Sequence, residues 1–221
     1  MSSFNKKQQT TTKLTETPIK LLISFQMVFE IDFLKLIAEV GNIPYKFTGI
    51  KYQEWPQHKS STRYGQLPYL KVNDHLTLYQ TMAIARFLAQ ECGLYPSDRI
   101  EATQTEEYML ALDDVFSKFV KIEFQTPKEK REEEIQLFKE GSLRTIFGAL
   151  NKVLEANGGY LTGKLNWADL FFFEVELIIE KKLSIDVESV APELKKLREH
   201  VMANEKAKTY LESERNLKRH S

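Results

Sequence analysis

The periodicity of the apolar residues changes near residue 95, and that change restricts the possible folds more than any other feature of the chain. Before it, strand-like runs alternate with helical ones. IKLLISF (19–25) is a strand-length apolar run. FEIDFLKLIAEVG (29–41) places Phe29, Phe33, Leu36, Ile37 and Val40 at helical spacing, with Gly41 suited to a left-handed residue after the helix. Tyr45 to Ile50 forms a second strand. LPYLKV (67–72) and LTLY (76–79) flank Asn73-Asp74-His75 as a hairpin, and QTMAIARFLAQECG (80–93) is a helix ending at Gly93. Beyond the linker LYPSD (94–98) every pattern is helical. Tyr108, Leu112, Val115, Phe116 and Phe119 make one stripe, and Thr126-Pro127-Lys128-Glu129 reads as a capping box opening the solvated run KEKREEE. Asn166-Trp167-Ala168-Asp169 has the shape of a second box, ahead of the buried-helix run LFFFEVELII. The expected fold class is α/β followed by all-α: a compact unit at 19–93, a linker at 94–98 and a helical unit at 99–221.

Composition narrows the function classes. Lys plus Arg and Asp plus Glu each number 31, so no electrostatic footprint points to nucleic acid or an anionic membrane. One cysteine, Cys92, excludes an internal disulfide framework and a multi-cysteine metal site, and suits a reducing compartment. It reads as an ordinary half-buried thiol rather than a nucleophile. No apolar run approaches the roughly 18 residues of a membrane span. The opening residues 1–18 are polar, without the apolar core of a secretory signal or the arginines of a transit peptide, and read as a disordered tail. The expected location is the cytoplasm.

The run YGQLPYLKVNDHLTLYQTMAIARFLA (64–89) resembles the glutathione transferases, particularly the sigma class that includes the glutathione-dependent prostaglandin D synthases. EWPQHKS (54–60), LDD (112–114) and KLNWADLFFFEV (164–175) extend the resemblance over nearly everything from Ile19 to about residue 205. It implies a thioredoxin-like domain followed by a helical one, usually in a homodimer, with glutathione as cosubstrate and a small apolar electrophile as partner.

The resemblance also implies site residues. A cis bond before Pro68 would aim the backbone of Leu67 at the cysteinyl unit of glutathione, with Phe25 and Gln66 beside it; the bare sequence gives only a rigid turn. Gln80 and Thr81 would hold the γ-glutamyl carboxylate at a helix start, where Thr81 would also serve as an N-cap. Trp55 and Lys59, four apart, would hold the glycyl end; without the resemblance they read as a packed aromatic and a surface lysine. Asp114 would reach across a dimer to the γ-glutamyl ammonium of the partner's glutathione. Some prostaglandin D synthases gather a divalent metal with neighbouring acids, but Leu110 replaces the third acid here, and no metal is expected beside Asp113. The second-substrate pocket would be lined from the Phe25–Phe29 loop, the Tyr108–Phe119 helix and the C-terminal end, which either covers it or runs free.

The family tyrosine that donates to the glutathione sulfur is Ser24 here, in Leu22-Ile23-Ser24-Phe25-Gln26-Met27, and its supporting arginine is Glu30. A seryl oxygen falls several bonds short of a phenol, and a carboxylate at Glu30 would disfavour a thiolate unless it only complements the helix start. Serine-type transferases carry their serine in the loop beyond the strand, so Ser24 does not match them. Reduced conjugation is the expectation. The alternatives are a ligand-binding protein like the lens S-crystallins and a dimeric interaction module.

Overall fold

The computed structural model describes residues 20–25 and 29–213, with Phe29 and Glu30 described for their backbone alone. The 1–18 tail, the loop 26–28, the Glu30 side chain and residues 214–221 lie outside the described residues. The first half contains β1 (Lys20–Phe25), α1 (Phe29–Val40), β2 (Tyr45–Ile50), a short α2 (Trp55–Lys59), β3 (Tyr69–Lys71), β4 (Thr77–Tyr79) and α3 (Thr81–Cys92). The four strands form one mixed sheet in the order β2-β1-β3-β4: β1 and β2 are parallel, and the β1–β3 and β3–β4 pairs are antiparallel. The hairpin closes through an Asx turn, where Asn73 Oδ1 accepts from the amides of His75 (2.9 Å) and Leu76 (2.8 Å). β3 and β4 are shorter than their apolar runs, and the Leu67–Pro68 bond before β3 is cis.

The second half is helical throughout: α4 (Arg99–Phe124), α5 (Arg131–Phe138), α6 (Arg144–Ala156), α7 (Trp167–Leu183), α8 (Leu194–Ala203) and α9 (Glu205–Leu211). The linker ends in a working N-cap, with Asp98 Oδ1 accepting from Ile100 N (3.0 Å) and Glu101 N (2.9 Å). The Asn166–Asp169 box forms as expected: Asn166 Oδ1 accepts from Ala168 N (2.8 Å), and Asp169 Oδ2 accepts from Asn166 N (2.9 Å). Asp169 also takes the amide of Leu161 at 2.8 Å, so one carboxylate ties the preceding loop to the helix start. Burial pushes its pKa up to about 7, against the two amide bonds that favour its ionised form.

Three local expectations are corrected. Gly41 is not left-handed; Asn42 is, with φ 56°. Asn42 N donates to Glu39 O (3.1 Å) and Ile43 N to Ala38 O (2.8 Å), the paired bonds of a Schellman motif. Gly41 is needed for a different reason: a Cβ there would stand 2.4 Å from Cys92 Cβ. The Thr126 box does not form. Pro127 takes the capping position without a side-chain bond, and Thr126 Oγ1 donates back to Lys121 O at 3.1 Å, closing α4 instead. At α3 the N-cap is Gln80, and Thr81 is the first helical residue.

Helix α1 departs furthest from its pattern. Every residue from Ile31 to Ala38 is buried, Asp32 and Lys35 included, because the helix packs on α3 and also on α7 and α9. Lys35 Nζ lies 3.7 Å from the centre of the Phe47 ring, and Phe33 meets Phe171 at 4.8 Å between centroids. Ala207 and Tyr210 of α9 are buried, so the C-terminal segment is a packed helix at least to Leu211.

Candidate functional site

A cavity of about 320 Å³ opens where the end of β1, helix α2 and the loop before β3 meet the start of α3. Its walls are Phe25, Trp55, Tyr64, Gly65, Gln66, Leu67, Pro68, Tyr79, Gln80 and Thr81. Each is held by a local device. The cis Leu67–Pro68 bond turns the chain into β3. Phe25, the last residue of β1, meets Trp55 edge-on at 5.5 Å between centroids. Gln80 sits at φ 71° and ψ 121°, a backbone state that a non-glycine residue adopts only where its surroundings impose it. Its carbonyl accepts the amide of Ile84 (3.0 Å), and its side-chain Nε2 donates to Gln66 Oε1 at 3.1 Å, across the cavity floor.

A second cavity of about 160 Å³ shares Gln80 and Thr81 with the first and adds Met82, Asp113, Phe116 and Phe171. It lies between α3 and the helices α4 and α7. Burial, and then the neighbouring Asp114, raise the pKa of Asp113. Among the described residues, no three His, Cys, Asp or Glu side chains are grouped so as to hold a metal ion.

The structure thus gathers Phe25, Trp55, Gln66, Leu67, Pro68, Gln80 and Thr81 around one space. It sets three others apart. Ser24 is 1% exposed and is not in the wall of either cavity, whereas the next residue, Phe25, is. Lys59 is exposed and lies beside the wall rather than in it, with its Cε 3.2 Å from where a Cβ on Gly65 would be. Asp114 is exposed on α4 and lines neither cavity; the acid that does is Asp113. Helical spacing carried the signal for that choice. Asp113 is four residues after buried Met109 and three before buried Phe116, at the flank of the core stripe, whereas Asp114 falls on the opposite side.

Sequence reading missed the aromatic part of the wall. Tyr64 and Tyr79 meet edge-on at 5.8 Å, Tyr69 lies 5.6 Å from Tyr79, and the Arg63 guanidinium stands 5.1 Å over the Tyr79 ring. Their adjacency to Gly65-Gln66 and to Gln80 was the available signal.

Chemically, the first cavity offers amide and hydroxyl donors at a helix start for an anion, a turned backbone before Pro68 for an extended peptide, and an aromatic end at Phe25 and Trp55. The comparisons with known proteins bear on the family. Residues 19–90 match the glutathione S-transferase N-terminal domain, and residues 113–214 match the glutathione S-transferase C-terminal domain. The chain is 28% identical over 180 residues to glutathione S-transferase 2 of Manduca sexta, covering 80% of this chain and 88% of that protein. It is 24% identical over 190 residues to S-crystallin SL11 of Nototodarus sloanii, covering 84% and 91%. Among solved structures, the prostaglandin synthase D of Nilaparvata lugens superimposes with a TM-score of 0.81 at 25% identity, over 89% of this chain and 98% of that one. With its sheet-containing first half matched to the N-terminal domain and its helical second half to the C-terminal domain, in that order, the chain belongs to the glutathione S-transferase superfamily.

Proposed function

We propose that this protein is a glutathione transferase of reduced turnover, which seats glutathione in the first cavity and adds its thiol to small apolar electrophiles. The observation that carries the reading is the shared wall: Trp55, Gln66, Leu67, Gln80 and Thr81, distant in sequence, face one space of about 320 Å³. In this reading the γ-glutamyl carboxylate lies against the α3 start, the cysteinyl backbone along Leu67, and the glycyl end toward Trp55. Lys59, outside the wall, contributes there as a charge on the rim.

Reduced turnover follows from Ser24, whose short, buried side chain lines neither cavity. A thiol of pKa about 8.5 is roughly 3% ionised at pH 7, and lowering it by about two units gives roughly 75%. The accompanying loss of basicity leaves a net gain of only about threefold. Positioning the two reactants can contribute more than that. The loss of the phenol therefore weakens conjugation without abolishing it.

The same burial favours a second reading, a glutathione-binding protein with little chemistry. In either case we propose a cytoplasmic homodimer joined through the exposed face of α4. Leu110, Asp114, Ser117, Lys121 and Phe124 recur there at helical spacing, with Leu110 65% and Phe124 75% exposed. Among the described residues, no helix is long and apolar enough to cross a membrane.

Calorimetry with glutathione, run beside turnover of a generic aromatic electrophile, separates the readings. Tight binding with turnover above that of free glutathione supports the enzyme. Tight binding without such turnover leaves the binding protein. Absence of binding rejects both and leaves a dimeric interaction module.

A further inference from the structure

We propose that residues 51–65 are a strap that closes over bound glutathione, drawn in as Lys59 pairs with the glycyl carboxylate. The inference rests on the reading that the first cavity seats glutathione. From Lys51 to Ser61 every residue except Trp55 is exposed. Among the described residues, the hydrogen bonds of residues 52–65 all close on residues 51–65. Glu54 N donates to Lys51 O (2.9 Å), Ser61 Oγ to His58 O (2.7 Å), Thr62 Oγ1 to Lys59 O (2.9 Å) and Gly65 N to Thr62 O (3.4 Å). The segment can therefore shift as a unit without breaking a hydrogen bond to the body of the protein, which places it at the low-stability end of the fold.

What ties the strap down is aromatic, and both ties fall on the cavity wall. Tyr52 and Trp55 meet Phe25 at 5.9 and 5.5 Å between centroids, and Tyr64 meets Tyr79 at 5.8 Å, with the Arg63 guanidinium 5.1 Å from the same ring. Phe25 and Tyr79 both line the cavity. Lys59 stands one helical turn after Trp55. Its stem lies over Gly65, with Cε and Cγ 3.2 and 3.5 Å from where a Cβ would be, and Gly65 turns the chain at φ 63°. Lys59 is exposed, and no ion pair to its ammonium is found among the described residues. A carboxylate lying toward Trp55 gives that ammonium a partner. Trp55 is already in the wall, so turning α2 about its first residue carries Lys59 over the mouth, while Gly65 takes up the change in backbone angle.

The test is limited trypsin digestion of the full-length protein, read by mass spectrometry at Lys51, Lys59 and Arg63, with the exposed Lys128 and Lys130 as internal references. Cleavage that is slow relative to closing tracks the open population of the strap. Two ligands are compared, each at a concentration that saturates the protein by calorimetry: glutathione, and glutathione amide, whose glycyl carboxylate is a neutral carboxamide. Glutathione is expected to slow cleavage in the strap by about threefold or more relative to the references, and the amide by less than about 1.5-fold. Lys59→Gln, saturated with glutathione, is expected to lose the protection at Lys51 and Arg63; where that variant binds too weakly to saturate, the two ligands on the wild type decide. Saturating glutathione that leaves strap cleavage unchanged overturns the proposal and leaves the tripeptide reading standing. Equal protection by the amide, or full protection in Lys59→Gln, overturns it too. A wild type that binds no glutathione overturns the tripeptide reading itself, and this proposal with it.

Discussion

The floor and the strand end of the first cavity differ in what they present to it. On the floor, Gln66, Leu67, Pro68, Gln80 and Thr81 are present and face the space together, with Gln80 held in an unusual backbone state. At the strand end stands Ser24, which is buried and lines neither cavity. In the proposed reading the first region serves binding and the second serves the reactivity of the thiol. Binding by the floor depends on backbone shape and helix polarity, which tolerate changes elsewhere. Thiol activation depends on one hydroxyl reaching one sulfur, and a single substitution removes it.

The comparison is most exposed at the floor. Replacing Gln80 and Thr81 together by alanine removes two donors to a charged group and should weaken glutathione binding by about 100-fold. Ser24→Ala, in the same calorimetric measurement, should change affinity by less than about twofold. Equal losses would mean that Ser24 belongs to the seat after all.

The next effect is on pH. Without a phenol to lower the thiol pKa, the conjugation rate should follow the ionisation of a thiol with pKa about 8.5, rising about tenfold between pH 6.5 and 7.5. A rate already level across that interval would show that another group in the site ionises the sulfur.

The smallest effect concerns restoration. Ser24→Tyr with Glu30→Arg, in a variant that keeps its melting temperature, should raise the conjugation rate at pH 7 by roughly threefold through thiolate formation, with any added transition-state stabilisation on top. No gain would place the sulfur somewhere other than opposite the end of β1.

Much of this molecule was legible before its structure. β2 at Tyr45–Ile50, the Asn73 hairpin, the helix end at Gly93 and the Asn166–Asp169 box all lie where the pattern placed them. Each is written in a few consecutive residues. The two box-like signatures show where such reading stops. Asn166-x-x-Asp169 forms, and its acid is also drawn in by the amide of Leu161. Thr126-x-x-Glu129 does not, because the Thr126 hydroxyl finds a carbonyl in the helix behind it. Within the site, the motif residues were readable through the resemblance and the aromatic wall of Tyr64 and Tyr79 was not, since what makes those rings a wall is the loop before β3 meeting the end of β4.

The sequence by itself determined the change of pattern near residue 95 and the order of the elements, because hydrophobic period, caps and turns act over a few residues, whereas the residues of the cavity floor were implied by the family resemblance alone. Only the tertiary structure decided what is buried and which way it faces. Lys20, 1% exposed, is paired with Glu91 at 2.6 Å across 71 residues of chain. Glu176, fully buried, is held by Arg198, which also binds Glu180 at 2.8 Å and Glu188 at 2.6 Å, and burial still raises the Glu176 pKa to about 7. Helix α1 buries Asp32 and Lys35, and the Lys35 ammonium lies over the Phe47 ring of β2. Desolvation and orientation are set by whichever element packs opposite, and that element is named nowhere in the local pattern.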